Sequence, residues 1–265
     1  MAIRYRYNSL EDFLASNPLT VDGMCDDGGG EPFSVKGREI EATILFSDIS
    51  GFSSRTRALS STETLIFVNN FFMWIATEAL HGRPGIVDKY IGDEIMVVFA
   101  KEFGSDDPFA DAIHTARRMC EQDPLAFDPH IGIASGGVTV GYVGTPIKYN
   151  CSVFGAPVAL AARCAAVKPL DESASSRIVF PASEWSERRF DEMFPTRKHK
   201  GPLGEIERPA PWELLPPRKV GMKNLGDVEV REVQRTTVWV PQGFSAEDRA
   251  REALQALREQ GRYWG

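Results

Sequence analysis

The order in which β-like and helical stretches follow one another limits this chain to few folds. From Glu39, apolar Ile40, Ala42, Ile44 and Phe46 alternate with Glu41, Thr43, Leu45 and Ser47, ending at Asp48. That period of two reads as a strand. Ser50-Gly51-Phe52 turns the chain. Ser60 or Ser61 can then cap a helix over about 62–80, whose buried face is expected from Leu65, Ile66, Val68, Phe72, Ile75 and Leu80. Two short strands, 86–91 and 95–100, flank Gly92-Asp93-Glu94, which is hairpin chemistry. A helix from Pro108 to Cys120, capped by Asp106 or Asp107, comes next. Strands over 130–143 and 151–154, a helix over 157–167 and a strand over 177–180 complete the series. This order predicts an α+β fold, a mixed β-sheet covered by helices, and not a tandem βαβ array.

Three regions flank or interrupt this core. Residues 1–38 read as an N-terminal extension, with a helical turn near Leu10–Leu14 and a loop at 26–30. Residues 184–219 are charged and proline-rich and read as a long surface excursion. Residues 227–233 and 236–240 read as a closing hairpin. The catalytic domain is expected over 39–240, and 241–265 reads as a helical tail with a thin apolar edge, Leu254 and Leu257.

Composition narrows function by exclusion. The 265 residues carry a formal net charge of -7, which argues against a protein built to grip nucleic acid. The four cysteines form no CxxC pair and no zinc spacing, as expected of thiols in a reducing cytosol. The N-terminus lacks the apolar core of a signal peptide, and no apolar run is long enough to span a bilayer. A cytoplasmic protein with no membrane partner is expected.

The informative residues are Asp48, which closes an apolar strand, and Asp93, at a hairpin tip. Either alone is an ordinary turn aspartate. If the hairpin packs beside the first strand, the two carboxylates converge, and such a pair needs a shared cation or a shared proton. Two hard divalent ions suit phosphoryl transfer. The backbone of Ser50-Gly51-Phe52 could meet phosphate oxygens, and no GxxxxGK[ST] is present.

These residues resemble a known family. Thr43–Ser53 (TILFSDISGFS) and Asp88–Phe99 (DKYIGDEIMVVF) are similar to the two metal motifs of class III adenylate and guanylate cyclases. Ile131–Gly144, Ser152–Arg163 and Met222–Val233 resemble the strand pair, the substrate motif and the closing hairpin that follow in that family. The resemblance runs over about 39–235 and implies a ferredoxin-like βαββαβ core. It implies that Asp48, Asp93 and the Ile49 backbone carbonyl hold two divalent cations, Mg2+ or Mn2+. It makes Lys89 and Ser152 readers of the base, Arg163 the donor to the α-phosphate, and Phe52 and Lys223 phosphate-binding residues. Lys89 stands four residues before Asp93 and is expected on the same strand face. The family's sites lie between subunits, so a head-to-tail homodimer with shared active sites is implied.

The sequence also departs from the family's pattern. Ala159 stands where an Asn usually orients the ribose, Ala156-Pro157 replace an Asp-Thr, and Asn150 replaces an Asp. These departures, with the stand-alone organisation, resemble the pyrimidine cyclases of bacterial antiphage defence. The implied substrate is then UTP or CTP, the product a second messenger for a separate effector, and the base pocket is narrowed by Phe154 or by residues 145–150. Lys89 is the residue type of adenylate cyclases, so ATP is the alternative. A non-catalytic nucleotide sensor is suggested by Ala159, and a diguanylate synthase is disfavoured because Ile91-Gly-Asp-Glu-Ile95 replaces its GGDEF hairpin.

Overall fold

In the computed structural model the strand that ends at Asp48 begins at Pro32, well before the alternation at Glu39. The structure describes residues 5–26, 29–30, 32–121, 123, 127–145, 148–170, 176–185, 189–195, 197–201, 204–208, 211–235 and 246–261. Its strands are β1 (Val21–Asp26), β2 (Pro32–Asp48), β3 (Gly85–Ile91), β4 (Glu94–Ala100), β5 (His130–Thr145), β6 (Lys148–Phe154), β7 (Arg177–Pro181), β8 (Arg197–Gly201), β9 (Gly204–Arg208), β10 (Trp212–Leu214), β11 (Arg218–Met222) and β12 (Gly226–Arg235). Its α-helices are α1 (Leu10–Ser16), α2 (Phe52–Thr56), α3 (Ser61–Trp74), α4 (Pro108–Glu121), α5 (Ala156–Ala165), α6 (Phe190–Met193) and α7 (Ala246–Glu259).

One sheet runs in the order β10-β12-β7-β5-β2-β4-β3, with β1 on β2, β6 on β5 and β11 on β12. β5 and β7 pair in parallel and the other neighbours are antiparallel, so the sheet is mixed as expected. The order β5-β2-β4-β3 is the ferredoxin-like arrangement of the core strands.

Helices bury both faces of this sheet. Leu45, Ile95, Val97, Phe99, Ile131 and Ile133 pack under α3, α4 and α7. Ile44, Phe46, Met96, Val98 and Ala134 pack on the opposite side with Leu10, Phe13 and Leu14 of α1 and Ala161 of α5. That two-sided burial explains the unbroken apolar run Ile44-Leu45-Phe46. Of the polar members of the alternation Glu41 stays exposed, but Thr43 and Ser47 are buried, and the Thr43 hydroxyl pairs with that of Ser135 at 2.8 Å.

Several expectations change. The N-terminal segment contributes α1 to a core layer and β1 to the sheet edge, because Leu10, Phe13 and Leu14 make an apolar face that the sheet covers. In α3 the Ser60–Glu63 capping box forms, and Ile75 and Leu80 just beyond it are buried as expected, but the buried residues of α3 itself are Phe67, Phe71 and Trp74, and Leu65 is 63% exposed. Asp107 caps α4 by accepting from the Ala110 N–H at 3.0 Å. The segment 184–219 is not simply a surface excursion, since Trp185, Met193, Phe194 and Trp212 are buried in the main core. The closing hairpin pairs β11 with β12; the expected strand 236–240 lies outside the described residues. The edge of α7 is wider than Leu254 and Leu257, because Ala250 and Ala253 are buried beside them.

Candidate active site

Strand register brings the two aspartates together. Ser47 pairs with Ile95, so the end of β2 lies beside the β3–β4 turn. Gly92, at φ 64°, supplies the left-handed residue that this turn requires. Asp93 accepts from the Ile49 backbone N–H, and Asp48 accepts from the backbone N–H of His130, its partner on β5. Burial and then the charge of Asp93 push the Asp48 carboxyl up to about 7, against a weaker opposing pull from Arg177. Burial also raises Asp93 and Glu94. Asp48 Oδ1 is buried and accepts no hydrogen bond; the nearest cation candidate, His130 Nδ1, lies 3.9 Å away and burial holds that ring neutral.

The loop after Asp48 is closed on itself. Gly51 is left-handed at φ 62°, and the Phe52 N–H donates to the Ile49 carbonyl at 3.2 Å. The two backbone groups expected to meet phosphate and metal therefore satisfy one another here. A carbonyl has a second lone pair, so the Ile49 oxygen still has acceptor capacity.

Lys89 and Ser152 form a second cluster. Lys89 Nζ donates to Ser152 Oγ at 2.5 Å, and Ser152 Oγ donates to Asp88 Oδ2 at 2.8 Å. Lys89 also lies 3.3 Å from Asp88, whose side chain is 1% exposed. A bulge between Val87 and Lys89 breaks the strand alternation. The expected shared face of Lys89 and Asp93 is thus not what their contacts display: Lys89 meets Ser152 and Asp88, and Asp93 meets the Ile49 N–H.

Arg163 and Lys223 meet in a third place. With Lys168, Arg218 and Met222 they line a basic pocket of about 380 Å³, whose lining includes neither Asp48 nor Asp93. Gly132 makes this placement possible, because a Cβ there would sit 2.0 Å from the Ala161 carbonyl oxygen. The glycine lets α5 lie directly on β5 and sets the height of Arg163. Phe154 is 42% exposed and lines a separate groove with Glu39, Ile40 and Thr139, away from Lys89 and Ser152. A larger acidic cleft, lined by Glu41, Glu102, Asp106, Asp107 and Glu184, holds none of the expected site residues.

Residues 35–172, more than half of the chain, match the family model described as the adenylate and guanylate cyclase catalytic domain. The chain belongs to that family. It is 30% identical over 214 residues to an uncharacterized protein of Mycobacterium tuberculosis, covering 75% of this chain and 36% of that one. It is 32% identical over 137 residues to an adenylate cyclase of Anabaena cylindrica, covering 46% of this chain and 26% of that one. The chain therefore spans about a third or less of the length of these relatives. Among solved structures, the adenylyl cyclase CyaB from P. aeruginosa matches with TM-score 0.53 at 19% identity, over 79% of this chain and 99% of that one. The guanylyl cyclase Cya2 matches with TM-score 0.53 at 23% identity, over 79% and 98%. At these identities the structures establish the fold.

A cyclase catalytic domain needs divalent ions, and the residues present fit them. Among the described residues no three His, Cys, Asp or Glu side chains gather as a metal cluster. The set that the resemblance implied, two carboxylates with a backbone carbonyl, is all oxygen, which would suit a hard cation. The orphaned Asp48 Oδ1 is the acceptor such an ion would satisfy. Sequence reasoning left Asp88, His130 and Arg177 without roles. Arg177 is buried beside Asp48 and its Nη2 lies 3.3 Å from His130 Nδ1. Asp88 stands within the strand β3, whereas His130 and Arg177 are the first residues of β5 and β7, where a polar residue is unremarkable. No helix among the described residues is long and apolar enough to cross a membrane.

Proposed function

We propose that this chain is the catalytic unit of a nucleotide cyclase, converting a nucleoside triphosphate into a 3′,5′-cyclic nucleotide and pyrophosphate. The observation that carries this is the buried Asp48 Oδ1, which accepts no hydrogen bond, on a side chain near enough to Asp93 for that charge to raise its pKa. Asp48, Asp93 and the Ile49 carbonyl would hold Mg2+ or Mn2+. Bound divalent ions would lower the pKa of the ribose 3′-hydroxyl and neutralise charge on the triphosphate. In the reaction the 3′-hydroxyl gives its proton to water, its oxygen forms a bond to the α-phosphorus, the bridge to the β-phosphate breaks, and pyrophosphate leaves with the electron pair. Arg163 would donate to the α-phosphate oxygens and Lys223 to the terminal phosphates.

Lys89 and Ser152 would read the base. Ser152 spends its proton on Asp88, so Lys89 offers the free N–H donors of this cluster. The separation of the Asp48–Asp93 pair from the Arg163–Lys223 pocket favours a head-to-tail homodimer, in which one protomer's carboxylates face its partner's cations. We assign a pyrimidine triphosphate, UTP or CTP, as substrate, supported by Ala159 and Asn150 where a purine scheme places ribose and base contacts. The product would act as a second messenger for an effector in antiviral defence. ATP is the second reading, favoured by the Lys89–Ser152 hydrogen bond. Incubation of the purified protein with Mn2+ and each of ATP, GTP, CTP and UTP tests both. A cyclic pyrimidine nucleotide is expected; cyclic AMP alone would select the second reading, and no cyclic product from any of them would reject catalysis.

A further inference from the structure

We infer that α7 braces the metal loop: Arg249, acting through Asp128 and Arg55, fixes the Ser50 carbonyl and with it the turn that carries Asp48 and Ile49. The inference rests on the cyclase reading of that loop and adds a positioning device to it.

The connection is continuous. Arg55 Nε donates to the Ser50 carbonyl at 2.7 Å, two residues after Asp48. Arg55 Nη2 donates to Asp128 Oδ2 at 2.9 Å, and Arg249 Nη1 donates to the same oxygen at 2.7 Å. Arg55 is 2% exposed, so this charge has been taken out of water to sit behind the loop. Asp128 is also buried, in the left-handed conformation at φ 52°, and its N–H donates to Asp123 Oδ2 at 2.8 Å.

α2 cannot hold the loop by itself. It is five residues long, starts at Gly51 without a side-chain cap, and is far below the length at which a helix is stable alone. Its support comes from α7, which packs against it and buries Ala250, Ala253, Leu254 and Leu257. Arg57 meets Glu247 at 3.2 Å on the outer side, and Arg258 meets Glu63 of α3 at 3.5 Å. Of these three ion pairs of α7, the Arg249 contact is the one that leads through Asp128 and Arg55 to Ser50. With α7 seated, the Ser50 carbonyl has one direction and the flanking Asp48 and Ile49 share it. Without Arg249, Asp128 keeps one guanidinium and Arg55 loses the neighbour that fixes its partner.

The test uses the full chain with Arg249→Met, Arg249→Lys and, as a control on the same helix, Arg258→Met. Hydrogen–deuterium exchange of the 49–57 backbone and the Mn2+ concentration for half-maximal cyclase activity are measured together. Arg249→Met should raise both by about tenfold, a change of about 1.4 kcal/mol, with a smaller effect on kcat. Arg249→Lys should recover part of each, and Arg258→Met should match the wild type. Unchanged loop exchange in Arg249→Met overturns the brace. Equal effects from Arg258→Met overturn it too, because they would mean general undocking of α7. Faster exchange with an unmoved Mn2+ midpoint removes its positioning role. If Arg249→Met does not fold, Asp128→Asn carries the same comparison. A wild type without cyclase activity rejects the cyclase reading, and the exchange data still decide whether α7 holds the loop.

Discussion

Burial and the charge of Asp93 push Asp48 of the candidate site toward its protonated form. Its carboxyl is raised from 3.8 to about 7. A carboxyl whose folded pKa lies above its unfolded value contributes stability that is complete below about 3.8 and lost as pH rises through about 7. Without divalent ions, the melting temperature should therefore fall between pH 5 and pH 8. Asp48→Asn should remove most of that fall and melt higher than the wild type at pH 8, as read by calorimetry in EDTA. Mn2+ should reverse the trend and release protons on binding near neutral pH. Asp48→Ala or Asp93→Ala should lower turnover by several powers of ten with the fold retained, checked by product formation and circular dichroism. At this scale the sequence made Asp48 and Asp93 legible because an aspartate ending an apolar strand is conspicuous. Asp88 was not legible, since its role depends on a bulge that turns it toward Ser152, and a bulge has no signature in residue type.

Gly132 and Ser60 test how the elements carry these residues. Gly132→Ala would drive a methyl group into the backbone at Ala161 and Ala165. Overpacking of this kind costs about 1–3 kcal/mol. The variant should unfold at lower urea concentration and lose activity through displacement of α5 and Arg163. Ser60→Ala removes the side-chain half of the α3 capping box, leaves the Ser60 N–H on the Glu63 carboxylate, and should cost about 1 kcal/mol in the same assay, with little change in kcat. Element order was readable because each strand and helix has its own period. The orientation of α3 was not, because Leu65, Ile66, Val68 and Phe72 offer an apolar face of similar quality to that of Phe67, Phe71 and Trp74. Only the sheet beneath it selects Phe67, Phe71 and Trp74. Likewise, Trp185, Phe194 and Trp212 were hidden in a segment whose charges and prolines dominate its composition. Those aromatic rings were the signal that it returns to the core.

For the whole molecule, the proposed homodimer makes the sharpest demand. Equal amounts of Asp48→Ala and Arg163→Ala chains should recover about a quarter of wild-type activity, since about half the dimers are mixed and each holds one intact site. Verified mixed dimers without activity would reject the shared site. The mixed α+β class was foreseen from the succession of periods, and the ferredoxin-like core from the resemblance to cyclases. The packing of α1 on the sheet was not, because Leu10, Phe13 and Leu14 form too short a stripe to announce a core contact.

The basic pocket around Arg163 and Lys223 excludes the carboxylates of its own chain, and this has a kinetic meaning. Below the dissociation constant of such a dimer, output per volume would climb with the square of protein concentration. Doubling expression would then quadruple the signal, so abundance itself would act as the throttle, with no allosteric ligand required.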